Sequence, residues 1–303
     1  MSSKSVTDGG ITIEEEKQLV ELRTRLDGDW GGVANWPEFC SDFALLRFVR
    51  GYHHDLTIIE KNVRLLFQFL QDFNAAEIRK IILAEPGEPI ECYYDYTRLP
   101  HSAVVLNTYP ERFYHGNDCL GNPFTVTNVN MLTDPNLLME QLTPEQYLEY
   151  RVARLLMVQL LLHELSERHQ KLIRITMVWD LNGFKVSHYQ RLKDPKVMKF
   201  WGDLFERCAP CFPEIINKVI VFNLPWFLNA IWKAVKLTIP RRFVAKVVIF
   251  GSDISGIEER GPILLEDIPS VLGGKSTVPI GEYRPPALAE YYYICKLLLS
   301  TIS

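Results

Sequence analysis

Five short clusters in this 303-residue chain carry side chains with the types and spacing for chemistry. Gly274-Lys275-Ser276 has the ending of a phosphate-cradling loop. Such a loop needs a glycine five residues before its second glycine, a strand leading in and a helix leading out. Position 269 is proline, and Thr277-Val278-Pro279 does not read as a helix, so no nucleotide site is expected. His163-Glu164 lies in a helical pattern, but the partner of a zinc-binding histidine pair would fall at 167, which is Glu. Cys208-Ala-Pro-Cys211 has redox spacing, yet it follows a helical pattern instead of opening one after a strand. No second pair is present to complete a zinc site, and a packing role is expected. Gly251-Ser-Asp-Ile-Ser-Gly256 misplaces its serines for a nucleophile elbow. Asp180, after a strand and with no paired base in sight, is expected to cap a turn. No catalytic and no metal-ligating set emerges, and an enzyme is not expected.

The elements around these clusters are more telling. Lys218 to Gly251 reads as strand, helix, strand. Val219–Phe222 and Val247–Phe250 are short β-branched and aromatic runs. The helical pattern between them, Trp226 to Thr238, is fenced by Pro225 and Pro240. This is a crossover unit and predicts parallel pairing. On a wheel, Asn229, Lys233 and Lys236 share one narrow face, and apolar residues cover the rest. That arc is wider than one sheet face can hide. Either the helix is buried all round, or it is a movable lid with one flank toward a lipid cavity and the other toward a membrane. Two tryptophans beside Lys233, Lys236, Arg241 and Arg242 suit a membrane surface.

Composition sets outer bounds. A hydrophobic fraction of 47% with 23% charged residues is globular, and a net charge of −4 argues against a nucleic-acid partner. Six cysteines scattered at 40, 92, 119, 208, 211 and 295 do not make a disulfide scaffold. The amino terminus has no apolar core, and the most apolar span, 219–239, is broken by Asn, Pro and Lys. A cytoplasmic protein, peripheral on membranes, is therefore expected.

Along the chain, residues 1–12 read as disordered and 13–95 as a helical domain punctuated by Pro86-Gly87-Glu88-Pro89. Its helices are predicted at 14–27, from a cap at Ser41 or Asp42 to Arg50, from Asp55 to about Phe73, and over 77–84. Strands are predicted at Ala103–Leu106, Phe124–Met131 and Leu172–Trp179, and helices at 144–167 and 197–207. The segment 96–278 reads as one α/β domain, and 279–303 as a tail packed on the body.

Several signatures then line up in order: Leu45-Leu-Arg-Phe-Val-Arg50, Gly121-Asn-Pro123, Asp180-Leu-Asn-Gly183, Phe212-Pro-Glu214 leading to Asn223-Leu-Pro225, and Ile268-Pro-Ser-Val-Leu-Gly-Gly274. Together, from Ser41 to Lys275, the chain resembles the CRAL-TRIO lipid-binding family, and within it the phosphatidylinositol-transfer branch. The resemblance implies an all-helical N-terminal domain followed by a mixed, mostly parallel sheet that floors an apolar lipid pocket closed by a mobile helix.

It also implies roles. Lys246 matches the cation expected near the lipid phosphate, Glu214 the carboxylate that helps order the head group, and His53 one member of an expected basic pair. Without the resemblance, Glu214 and Lys246 read as an ion pair or as surface charges. Trp226, Phe227, Ile231, Trp232 and Val235 would form the gate, with Met157, Ile175 and Met177 lining the cavity or serving as core. Phe243 stands where a hydroxyl is expected, Tyr52-His53 replace the basic pair, and Ile175 and Met177 replace the hydroxyls of a choline-lipid site. The implied function is uptake of a single phospholipid, with phosphatidylinositol foremost, and exchange at membranes. A lipid-sensing adaptor engaging a phosphoinositide kinase, or a carrier of a sterol-like or isoprenoid ligand, would share the fold. No cofactor is expected beyond the bound phospholipid.

Overall fold

The helices begin where side chains satisfy the first free backbone N–H groups. Thr12 and Glu15 form a reciprocal capping box at the start of the helix Ile13–Leu26. Ser41 accepts from the Ala44 N–H to open Asp42–Gly51, and Asp55 accepts from Thr57 and Ile58 to open Leu56–Asp72. Thr143 and Gln146 repeat the box before Pro144–His169, with proline in the first turn. These observations come from a computed structural model that describes residues 10–84, 96–108, 113–128, 135–235, 244–251 and 253–278. The expectations for 1–9, for Pro86–Pro89, for 236–243 and for the tail after 278 lie outside the described residues.

The chain divides into two compact units. One is helical and comprises Met1–Val104, Met139–Ile173 and Pro195–Ile215. Its helices are Ile13–Leu26, Pro37–Cys40, Asp42–Gly51, Leu56–Asp72, Ala75–Leu83, Pro144–His169 and Pro195–Cys208. The centre of the Pro144–His169 helix, Leu155 to Leu162, is apolar nearly all round, and the helix buries Leu156, Met157, Leu160, Leu161 and Leu162. Its buried Gln159 is accommodated because its Nε2 donates to the Glu38 carbonyl at 2.8 Å. Glu38 is also fully buried and is paired with Arg79 Nε at 2.6 Å.

A second buried acid ties the first helix to the Leu45–Arg50 signature. Arg50 Nε donates to Glu15 at 2.7 Å, and Arg50 Nη2 donates to the Gly10 carbonyl. Burial alone would raise the Glu15 carboxyl, but hydrogen bonds from Arg50 and the Thr12 N–H, with the charge of Arg50, outweigh it and hold the group at about 2. A carboxyl whose folded pKa lies below its unfolded value contributes stability above the unfolded value and loses it as pH falls toward the folded one. Here that window runs from 4.5 down to about 2. Glu15→Gln is therefore expected to cost on the order of 3 kcal/mol at pH 7 and to flatten the acid-side loss of stability across that window. Urea unfolding at a series of pH values checks this, and parallel pH profiles for the two proteins would contradict it.

The other unit comprises Val105–Leu138, Arg174–Asp194 and Ile216–Ser303 and holds a five-stranded sheet. The strands are β1 Phe113–Asn117, β2 Pro123–Asn128, β3 Ile175–Asp180, β4 Ile216–Phe222 and β5 Val247–Ile249, in that spatial order. β1 pairs antiparallel with β2, and every other neighbour is parallel. The mixed, mostly parallel sheet expected from the crossover pattern is thus present. Alternation divides its side chains between two faces. Phe124, Val126, Val178, Ile220, Phe222 and Val248 point one way, into a core closed by Ile254, Ile257, Ile263, Ile268 and Leu272. The opposite face carries two cross-strand rows, Thr125–Met177–Val219–Val247 and Thr127–Trp179–Val221–Ile249.

One predicted strand is overturned. Ala103–Leu106 lies in a helix, Ser102–Thr108. A four-residue apolar run does not distinguish the two states by itself. Here Ala103 is exposed and Val105 is buried, with Ser102 Oγ donating to the Thr97 carbonyl at the start of the turn. Strand β1, whose Phe-Tyr-His-Gly-Asn sequence has no alternation, and the helix Val186–Leu192 carried no legible signal.

Candidate functional site

In the helical unit, two of the sequence signatures interlock. Phe212 sits edge-on to Phe69 at 5.7 Å and to Phe39 at 6.5 Å. Pro213 lies so close to Gly51 that a Cβ there would fall 2.6 Å from the Pro213 Cβ. Glu214 adopts a left-handed φ of 53°. Arg47, buried at 2% exposure, donates from Nη1 to the Glu214 carbonyl at 2.9 Å and from Nη2 to the Ile173 carbonyl at 2.7 Å and Ser166 Oγ at 3.5 Å. Tyr52 donates its hydroxyl to the Pro210 carbonyl at 2.9 Å, and His53 follows it in an exposed turn at φ 54°. Met157 is fully buried in this unit.

The remaining signatures fall in the sheet unit and also act as keys. Asp118, 5% exposed, accepts from the Leu120 and Asn122 N–H groups, from Asn122 Nδ2, from Thr176 Oγ1 at 2.7 Å and from Asn217 Nδ2 at 3.2 Å. The Asn122 side-chain carbonyl in turn accepts from the Arg174 N–H. Gly121-Asn-Pro123 therefore fixes the β1–β2 turn onto β3 and β4. Asp180 caps its turn as expected, through the Asn182 N–H, and accepts from Asn223 Nδ2 at 2.8 Å.

Gly274-Lys275-Ser276 closes the unit. The Gly274 N–H donates to the Pro269 carbonyl and the Ser276 N–H to the Ile268 carbonyl. A Cβ on Gly274 would collide with the Ile268 backbone. The Lys275 side chain, by contrast, makes an exposed pair with Glu266 at 2.7 Å. Gly274→Ala is expected to cost about 3 kcal/mol by overpacking, whereas Lys275→Ala is expected to leave stability unchanged. Chemical denaturation checks the order, and a phosphate loop would instead make Lys275 the residue whose loss removes nucleotide binding.

The helix Trp226–Val235 follows β4 directly. Its residues 227, 228, 231 and 232 are half-buried, while Trp226, Asn229, Ala230 and Lys233 are exposed, and none of 226–233 is fully buried. Phe227 stacks 6.5 Å from Phe184 and lies 6.3 Å from Tyr189, which holds the helix on the sheet face bearing Val219, Val221, Val247 and Ile249. Trp226 is 83% exposed. Trp232 lines a cleft of about 500 Å³ together with Lys218, Val247, Val248, Ile249 and Arg260. Lys218 Nζ donates to the Arg260 carbonyl, and the Arg260 guanidinium lies 4.5 Å over the Phe250 ring. The cleft thus has apolar walls and a cationic rim.

Ile175 and Met177 lie buried on β3, at 7% and 4% exposure, and are not among the residues of this cleft. Lys246 precedes β5; its carbonyl accepts from the Val219 N–H and its Nζ donates to the Ile216 carbonyl at 2.8 Å. Val235 ends the described part of the helix, and the predicted extension to Thr238 lies outside the described residues. Sequence reasoning missed Phe184, Tyr189, Lys218 and Arg260, which no local pattern links to the helix they surround.

Cys208 and Cys211 are free and buried, and burial pushes their thiols up to about 11 and about 12, which suits packing and not redox exchange. Among the described residues, no group of three or more His, Cys, Asp or Glu side chains could hold a metal ion, and no helix is long and apolar enough to cross a membrane.

Comparison with known proteins bears on this arrangement in three ways. The chain is 24% identical over 177 residues to a phosphatidylinositol/phosphatidylcholine transfer protein, SFH11, of Arabidopsis thaliana, an alignment of 57% of this chain and 45% of that protein. It thus spans about half the length of the curated relative. The fold is similar to the crystal structure of Sfh5, with a TM-score of 0.52 over 98% of this chain and 100% of the other, at 14% identity. The CRAL/TRIO domain model matches residues 109–274, which is more than half of the chain and takes in all five described strands of the sheet. This protein belongs to the CRAL/TRIO domain family.

Proposed function

We propose that this protein is a non-enzymatic carrier that takes up one phospholipid, phosphatidylinositol foremost, and exchanges it at membrane surfaces through the Trp226–Val235 helix. The observation that carries the reading is the incomplete burial of that helix: none of residues 226–233 is sealed in protein, and Trp226 stands 83% exposed. An apolar helix left in this state is one that an apolar partner can cover. Acyl chains held against a dry sheet face gain about 0.8 kcal/mol per buried methylene. A helix with apolar flanks can trade contacts with cargo for contacts with a bilayer at little net cost, which lets a tightly held lipid leave. The similarity to a phosphatidylinositol/phosphatidylcholine transfer protein supports this choice of cargo.

Lys246 is the proposed phosphate contact, because an ammonium now hydrogen-bonded to a main-chain carbonyl can take a phosphate oxygen instead. Lys218 and Arg260, with the Trp226 indole, would meet an anionic membrane surface. The protein would then act in the cytoplasm, peripheral on membranes. Lys246→Ala is expected to reduce phosphatidylinositol transfer between vesicles about tenfold and phosphatidylcholine transfer much less. Equal losses for the two lipids would remove Lys246 from head-group recognition.

A further inference from the structure

Thr125 and Thr127 place two hydroxyls on the sheet face that bears Val219, Val221, Val247 and Ile249, one in each cross-strand row described above. They are 3% and 7% exposed, and neither Oγ1 has a hydrogen-bond partner. A buried hydroxyl without a partner is costly, and an apolar side chain of the same shape would be tolerated at least as well. Both hydroxyls lie on the face that carries Met177, Val219 and Val247, on the side where Phe227 and Leu228 of the Trp226–Val235 helix pack. Residues two apart on a strand stand about 6.6 Å from each other.

We propose that Thr125 and Thr127 donate their hydrogen bonds to the two ester carbonyls of a diacyl glycerolipid held against this face. The proposal rests on the carrier reading and sharpens it. Two uncharged donors at this spacing match a glycerol backbone bearing two acyl esters. A sterol offers one hydroxyl and an isoprenoid hydrocarbon offers no acceptor, so neither would satisfy the pair. No charged side chain in the two rows accompanies the threonines, which confines their contact to the neutral part of the lipid and leaves the head group to other residues.

The test uses the full chain, wild type and Thr125→Val/Thr127→Val. Each is equilibrated with dialkyl-ether phosphatidylcholine vesicles containing either diacyl phosphatidylinositol or its dialkyl-ether analogue, and occupancy is read by native mass spectrometry. The variant is expected to hold the diacyl lipid about tenfold less tightly, equivalent to about 1.4 kcal/mol. Wild type is expected to lose a similar factor on the ether lipid, and the variant to show no further loss there. The melting temperature of the lipid-free variant is expected to equal or exceed that of wild type. Equal occupancy of wild type and variant by the diacyl lipid would overturn the assignment while leaving the carrier reading intact. Equal losses on both lipids with a lowered melting temperature would also overturn it, since the threonines would then be structural. Wild type that takes up no phospholipid at all overturns the carrier reading itself.

Discussion

Trp226→Ala is expected to lower the rate of phosphatidylinositol transfer between vesicles by more than tenfold while shifting the melting temperature by no more than about a degree. The two halves of this expectation come from one fact. Trp226 is 83% exposed, and its one described ring contact is with its neighbour Phe227 at 6.0 Å, so its removal takes little from the folded body. Inserted into a bilayer interface, the same indole buries about 150–250 Å², worth roughly 4–6 kcal/mol as an upper estimate. Losing even a quarter of that is a tenfold change in partitioning. Vesicle co-sedimentation measured beside the transfer rate separates docking from release. Lys233→Ala, on the exposed polar side of the helix, is expected to give a smaller loss that disappears at high salt. A Trp226→Ala protein that transfers at the wild-type rate would show that this helix does not touch the membrane.

Arg47→Met is expected to cost about 3–5 kcal/mol of folding stability. The side chain is 2% exposed and serves the carbonyls of Glu214 and Ile173 together with Ser166 Oγ. Methionine matches much of the volume but leaves those carbonyls buried without their donor. Lysine restores charge without the planar fork and is expected to recover less than half of the loss. Because Glu214 adopts a left-handed backbone, the same substitution is expected to loosen the Phe212–Glu214 turn first, which amide hydrogen exchange across 208–216 would register before global unfolding. A loss under about 1 kcal/mol, with unchanged exchange in that turn, would mean that the guanidinium is not what holds it.

These two residues mark how much the sequence disclosed. The order of elements was legible, because the helix starts at Ser41 and Asp55 and the β-branched runs of β3, β4 and β5 announce themselves locally. The short signatures that carry the family resemblance were legible as patterns but not as physics. Arg47 with Glu214, Asp118 with Asn217, and Asp180 with Asn223 are structural keys joining distant segments, and Gly274 packs locally on Ile268. Nothing in the local spacing at Arg47 says that its partner lies 167 residues away. The Ala103–Leu106 run was misread because four apolar residues fit either period. The excess of apolar surface on the Trp226 helix was legible from the wheel alone, since amphipathicity depends only on spacing. Which residues lie beneath it was not, because Phe184 and Tyr189 reach it from another crossover. The unpartnered hydroxyls of Thr125 and Thr127 were invisible for a simpler reason: alternating threonines are ordinary strand residues until burial and bonding are known.

The decisive measurement is the identity of whatever travels with the protein. Native mass spectrometry of the full chain, purified without detergent, with organic extraction of the same sample, is expected to find one glycerophospholipid per protein molecule, enriched in phosphatidylinositol over the host's bulk lipid. An empty protein that also takes up no phospholipid from vesicles would contradict the carrier function.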